Sequence, residues 1–218
     1  MTRLAPEVHV AVTRARIGTG YLRQHEVLQL AEAQTLVLAT ALSSPRLWGS
    51  MLDAAMEGFL EGLSRPHDGR ASTRLHQAFD GTHKRVRLLA DSLIERRVPD
   101  VGLLALAVEG RQLHVLCLGP ARAYLHRHGA IRRLSPPDDR AEGVLKAAPI
   151  WCVEELEAGD LLFAGSLSAF GEEALSGLRA QLASGAPLPP RKIVEDLNKP
   201  AATAGLGAAA MAFRSSNF

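Results

Sequence analysis

The period of the hydrophobic positions changes twice along the chain. Residues 8–13 (VHVAVT) alternate apolar and polar side chains, as a strand with one face in a core does. Residues 35–40 (TLVLAT) are nearly continuous in apolar side chains and predict a buried strand. The period then lengthens. Leu52, Ala55, Met56, Phe59, Leu60 and Leu63 recur at three- and four-residue steps and so share one helical face, until Pro66, Asp68 and Gly69 break the pattern. A second helix is predicted over about 71–97, striped by Leu75, Phe79, Thr82, Val86, Leu89 and Leu93.

The short period then returns. Residues 101–109 (VGLLALAVE), 112–118 (QLHVLCL) and 121–127 (ARAYLHR) predict consecutive strands. Glu109-Gly110-Arg111 and His128-Gly129-Ala130 stand beside them as turns in which glycine supplies the conformation. A polar loop runs through 135–139, and a turn at 156–160 leads into a strand over 161–165. Helices are predicted over 168–183 and 191–198, separated by a linker at 184–190, and the last strand over 205–213. Two long helices between sheet-forming segments imply a layered α+β domain with helices covering sheets, and one such domain is expected over residues 1–218.

Composition narrows the function classes. A chain of 218 residues with 47% apolar and 22% charged residues has enough apolar material for one substantial core. A net charge of +2 gives no reason to expect nucleic acid or an anionic membrane as partner. No apolar run is long enough to span a bilayer, and the opening MTRLAPEVHVAV lacks a signal-peptide pattern, so a cytoplasmic location is expected. Cys117 and Cys152 sit in apolar surroundings and read as buried thiols.

Residues 101–134 carry a resemblance. Gly119-Pro120-Ala121-Arg122-Ala123-Tyr124-Leu125 is similar to the Gly-Asp-Ser-Arg-x-Tyr-Leu motif of type 2C (PPM) Ser/Thr protein phosphatases. Downstream, residues 157–164 (EAGDLLFA) resemble that family's Gly-Asp-hydrophobic run. Upstream, residues 35–39 (TLVLA) resemble the strand that leads into its Ala-Asp-Gly, and the two helices fall where the family has its pair. The resemblance implies an αββα sandwich of two antiparallel sheets flanked by helices. The flap is reduced here, because the stretch between Asp139 and Trp151 is short.

The same resemblance implies a chemistry. Family members hold two divalent metals with aspartates, and a metal-acidified bridging water attacks the phosphoester. Hard cations need carboxylate oxygens. In this chain the family's Asn-Glu-Asp falls on His25-Glu26-Val27, its Ala-Asp-Gly places Thr40 at the aspartate, its Ser-Asp-Gly places Ser166 there, and its C-terminal Asp-Asn falls near Ala204-Gly205. Val27, Thr40, Ser166 and Ala204 are thus degenerate metal positions, Pro120 replaces a further aspartate, and Glu26 is the carboxylate that remains. No metal and no cofactor is expected. Arg23 lies where family members carry an arginine that contacts the substrate phosphate, which a guanidinium can do without metals.

Other features have plainer readings. Asp80-Gly81 falls on a helix, Asp138-Asp139 in a loop, His126 and His128 at a hairpin tip, and Arg132-Arg133 at a solvated edge. Gly18-Thr19-Gly20 is too short for a phosphate loop. Ser168 suits a helix N-cap, with Glu172 and Glu173 favourable in the following turn.

The resulting expectation is a catalytically inactive phosphatase-like domain that binds a protein partner, such as a Ser/Thr kinase or a phosphoprotein. The alternatives are a weak or altered metal-dependent phosphoprotein phosphatase and a structural module that forms homo-oligomers.

Overall fold

The computed structural model describes residues 7–13, 25–30, 33–42, 47–94, 99–137 and 142–215. In chain order these form β1 (Glu7–Thr13), β2 (His25–Leu30), β3 (Thr35–Ala41), α1 (Trp48–Leu63), α2 (Ala71–Ser92), β4 (Val101–Glu109), β5 (Gln112–Leu118), β6 (Ala121–Arg127) and β7 (Ala130–Arg133). There follow β8 (Ile150–Glu155), β9 (Leu161–Ser166), a 3-10 turn at Leu167–Phe170, α3 (Glu172–Ala183), α4 (Pro190–Thr203) and β10 (Ala208–Arg214).

The strands make two five-stranded sheets, β1-β10-β9-β6-β7 and β2-β3-β4-β5-β8, with every neighbouring pair antiparallel. Strand periodicity sorts the side chains into three apolar layers. On β3, Leu36 and Leu38 face the other sheet, while Val37, Ala39 and Ala41 face α1 and α2. On β10, Met211 and Phe213 point into the space between the sheets, and Ala208, Ala210 and Ala212 point toward α3 and α4. The alanines leave α4 room to lie close to the sheet. The result is the αββα sandwich of antiparallel sheets that the resemblance implies.

The helix pair over the second sheet is set by glycine. A Cβ at Gly62 would lie 2.1 Å from the Gln77 carbonyl oxygen, and one at Gly81 would lie 2.1 Å from that of Gly58. Any side chain there would force α1 and α2 apart. Thr82 is fully buried at this crossing, and its hydroxyl contacts the carbonyl oxygens of Ala55 and Ala78.

Several boundaries differ from expectation. β2, β7 and β8 are strands that the pattern does not single out. β7 has four residues, and β8 is half-exposed at the sheet edge, so neither shows a clean alternation. Leu60, expected in the apolar stripe of α1, is 39% exposed. α4 runs on to Thr203, past Pro200. Gly205, with φ of 72°, turns the chain out of that helix, and this delays the last strand to Ala208.

Residues 142–149 form a turn with no helical subdomain, in keeping with a reduced flap. Asp100 holds this turn. Its buried Oδ1 accepts the Val101 and Leu145 amides at 2.8 and 3.0 Å. Burial raises the Asp100 pKa above the usual carboxylate range despite those bonds, and Oδ2 is buried without a hydrogen-bond partner.

Candidate functional site

Four strand ends converge at one end of the sandwich: the starts of β2 and β10 and the ends of β3 and β9. His25 and Thr40 are direct partners in the β2–β3 ladder, and both are buried. His25 Nδ1 lies 3.0 Å from Thr40 Oγ1, and His25 Nε2 lies 3.2 Å from the carbonyl oxygen of Gly207, across the gap between the sheets. Ser168 Oγ donates to the same carbonyl at 2.7 Å. Ser166 Oγ is 2.9 Å from Ser168 Oγ and accepts the Ala209 amide at 3.0 Å.

The proton directions follow from chemistry. A carbonyl oxygen only accepts, so Nε2 of His25 carries a hydrogen; when the ring is neutral, Nδ1 accepts from the Thr40 hydroxyl. Ser168 spends its hydrogen on the Gly207 carbonyl, so Ser166 donates to Ser168. One continuous chain of hydrogen bonds therefore runs from Ala209 through Ser166, Ser168, Gly207 and His25 to Thr40. It joins the two sheets and satisfies buried polar groups that would otherwise be costly.

The other positions at which the resemblance implies metal ligands lie outside this chain. Val27 packs against the layer between the sheets. Ala204 is exposed at the C-cap of α4, and Gly207 is the residue of that segment that reaches the cluster. Glu26 pairs in register with Ala39, whose side chain faces the helices, so Glu26 points away from His25. Burial, and then the charge of Asp53 on α1, raise its pKa above the usual carboxylate range. Arg23, Gly18-Thr19-Gly20 and Asp138-Asp139 lie outside the described residues.

The family resemblance implies a pair of divalent metals at such strand ends, and the residues present do not fit them. Among the described residues the cluster offers hydroxyls, one imidazole and one carbonyl, and no carboxylate to supply anionic oxygen. Among the described residues no three His, Cys, Asp or Glu side chains come together as a metal-binding group.

The residues that carry the resemblance hold the scaffold together. Gly119 turns with φ of 77° against Gly102, where a Cβ would come within 2.7 Å of backbone. The Pro120 carbonyl accepts the Leu167 amide at 2.9 Å, and Arg122 donates to the Phe170 carbonyl at 2.8 Å. Tyr124 stacks on Phe163 with ring centroids 5.5 Å apart. Asp160, 2% exposed, accepts a forked pair from Arg127, Nε to Oδ1 at 2.9 Å and Nη2 to Oδ2 at 2.5 Å.

The remaining singled-out residues are placed as follows. Asp80 is exposed on α2, while Gly81 makes the helix crossing. Arg132 pairs with Glu154 and so joins the β7 and β8 edges of the two sheets. His128, at φ of 49°, sits in the β6–β7 turn against Glu157. Ser168 is a correction: α3 begins after Gly171 with no side-chain cap, and the Ser168 hydroxyl is committed to Gly207. Both cysteines are free thiols. Cys117 is buried, its pKa pushed up to about 12 by desolvation, and Cys152 is half-buried.

Sequence reasoning placed Thr40 and Ser166 at the strand ends, read Ser168 as a helix N-cap, and gave no role at this site to His25 or Gly207. No spacing rule links residues 25, 168 and 207, since they meet only when the two sheets close.

No family model and no curated protein matches the sequence. Solved structures do. The serine/threonine phosphatase PstP/Ppp of Mycobacterium tuberculosis superposes with a TM-score of 0.75 at 14% identity, over 98% of this chain and 100% of that one. PppA, a regulatory component of the type VI secretion system (T6SS) in Pseudomonas aeruginosa, gives 0.75 at 19% identity over 95% and 97%. The PstP catalytic domain in complex with two manganese ions gives 0.73 at 14% identity over 98% and 100%. Two antiparallel sheets, helices on both outer faces and these superpositions along nearly the full length establish that this chain has the fold of the PPM-type Ser/Thr phosphatases.

Proposed function

We propose that this chain is a pseudophosphatase, a PPM-type fold that binds a protein partner in Ser/Thr phosphorylation signalling and does not turn over phosphoesters. The observation that carries the reading is the hydrogen-bond chain from Ser166 to Thr40. It occupies the strand ends where the resemblance implies metal-held water, and its donors already point at its acceptors. A dication placed there would meet hydroxyl and imidazole hydrogens and, among the described residues, no compensating negative charge. The retained motif residues support the binding half of the reading, because Gly119, Arg122, Tyr124 and Asp160 all serve to keep the scaffold rigid. The partner is a Ser/Thr kinase or a phosphorylated protein, met in the cytoplasm without nucleic acid or membrane. Among the described residues no helix is long and apolar enough to cross a membrane.

The test is a calorimetric Mn²⁺ titration paired with a phosphatase assay on a phosphothreonine peptide. The expected outcome is no stoichiometric binding at millimolar metal and no Mn²⁺-dependent turnover. Turnover that Ser166→Ala or Glu26→Gln removes would overturn the proposal and return the chain to the metal-dependent phosphatases.

A further inference from the structure

A second cluster of charged side chains lies at the opposite end of the first sheet. His126 near the end of β6, Leu161 at the start of β9 and Arg214 at the end of β10 are successive register partners, so all three project from the same face. The His126 and Arg214 Cα atoms are thus two strand spacings apart, about 10 Å. A cavity of about 360 Å³ opens above Leu161, roofed by the α3–α4 connection at Gly185–Leu188. That volume is at the small end of the range for ligand pockets.

The charges in its wall do not cancel. Arg127 is neutralised by its fork to Asp160 and by Glu157 at 2.9 Å. Arg214 has no such partner. Its guanidinium donates to the carbonyl oxygens of Gly159 and Leu188, at 3.4 and 2.6 Å, and among the described residues no carboxylate lies within ion-pairing distance of it. Those two bonds use two of its five N–H groups. Across the cavity, Nε2 of His126 is buried without a hydrogen-bond partner. A fixed cation and an imidazole ring therefore line one cavity over the apolar floor of Leu161.

We propose that this cavity binds a small molecule through an oxyanion group, a phosphate ester or a carboxylate, held between the Arg214 guanidinium and the His126 ring. The guanidinium fork suits the paired oxygens of either group. The imidazole supplies a hydrogen bond and, once protonated, a second charge. The groups facing His126 are Asp160 just before β9, Arg214 on β10 with Glu7 of β1 as its register partner, and Arg127 and His128 at the end of its own hairpin; α3 and the roof present Leu182 and the Gly185–Leu188 segment, with no charged side chain. Burial, then Arg214, hold the free ring below the ordinary histidine pKa, so the ring is neutral near pH 7 and binding an anion draws in a proton. Affinity therefore rises as pH falls toward 6. This inference is independent of whether the strand ends at the other end of the sandwich are catalytic.

The test is an NMR titration of the histidine ring signals of the full chain, with inorganic phosphate in one arm and acetate in the other. Saturable movement of the His126 signals, with a Kd of about 1 mM or tighter, is expected from at least one anion. Tighter binding in the phosphate arm assigns a phosphate ester, and tighter binding in the acetate arm assigns a carboxylate. Arg214→Gln should weaken binding about tenfold or more. His126→Gln should flatten the pH dependence of affinity, and this variant decides the matter if Arg214→Gln does not fold. No saturable response to either anion, or binding that His126→Gln leaves unchanged in strength and pH slope, would overturn the proposal.

Discussion

The two ends of the sandwich handle buried polarity in opposite ways. At the end built from His25, Thr40, Ser166, Ser168 and Gly207, the hydrogen bonds form one continuous chain between the sheets. At the other end, Arg214 lines a cavity with no carboxylate of the described residues within ion-pairing distance of it, and His126 leaves a ring nitrogen unpaired. A satisfied polar network rigidifies and discourages any ligand that would have to break it, whereas an unsatisfied one is open to a ligand that completes it. The end that the fold's resemblance marks as functional is thus the closed one. The contrast shows that a site has to be judged by its unspent donors and acceptors, since its place in a known fold does not reveal them.

The contrast breaks most visibly if charge is forced into the closed end. Ser166→Asp or Thr40→Asp would bury a carboxylate beside partners that already have their protons assigned, at 1% exposure for either parent residue. An uncompensated buried charge of this kind costs on the order of 3–5 kcal/mol. Either variant should therefore lower the melting temperature by many degrees, and thermal unfolding followed by circular dichroism checks it. Melting temperatures that match the parent would mean that the end is open and hydrated, and the contrast would fail.

A smaller loss is expected from Asp160→Ala. The change removes both bonds of the Arg127 fork and the acceptor of the Glu157 amide, which lies 2.8 Å from Oδ2. Arg127 is itself partly solvated and can regain water, and Glu157 stays beside it, so about 2–3 kcal/mol is expected. Chemical denaturation reads this directly. A loss under about half a kcal/mol would show that the fork behaves as a surface pair. Thr40→Val, which leaves Nδ1 of His25 without its donor, should cost about 1–2 kcal/mol by the same measurement.

How much of this was legible in the sequence follows from range. The stripes of α1 and α2, the runs of β3 to β6 and the turn glycines are local patterns, and they stand close to where they were expected. β7 and β8 were not legible because short or half-exposed edge strands carry little periodicity. Thr40 and Ser166 could be placed at strand ends because each closes a recognisable strand. Their partners could not, because His25 reaches Gly207 across 182 residues, and that contact exists only once both sheets are stacked. The placement of His126 and Arg214 around one cavity was hidden for the same reason. It depends on the registers of β6, β9 and β10, and hairpin-tip histidines have no sequence signature of their own.

The smallest effect expected is a pH dependence that separates the two ends by titration. The His126 pKa is lowered in the folded chain, chiefly by burial and then by Arg214, so the fold disfavours its protonated form. A group of this kind leaves stability intact above its unfolded pKa of about 6.5 and erodes it as pH falls below that value, because the unfolded chain then binds the proton more readily. His126→Gln should therefore reduce the slope of stability against pH below about 6.5. The reduction should be partial, because His114 is buried, has a lowered pKa and contributes a slope of the same sign. Saturating phosphate should act on the parent in the same direction as the substitution, since an anion beside Arg214 favours the protonated ring. It should leave His126→Gln unaffected. If phosphate flattens both slopes equally, it acts through general screening, and the two ends of the sandwich do not differ in the way their hydrogen bonds imply.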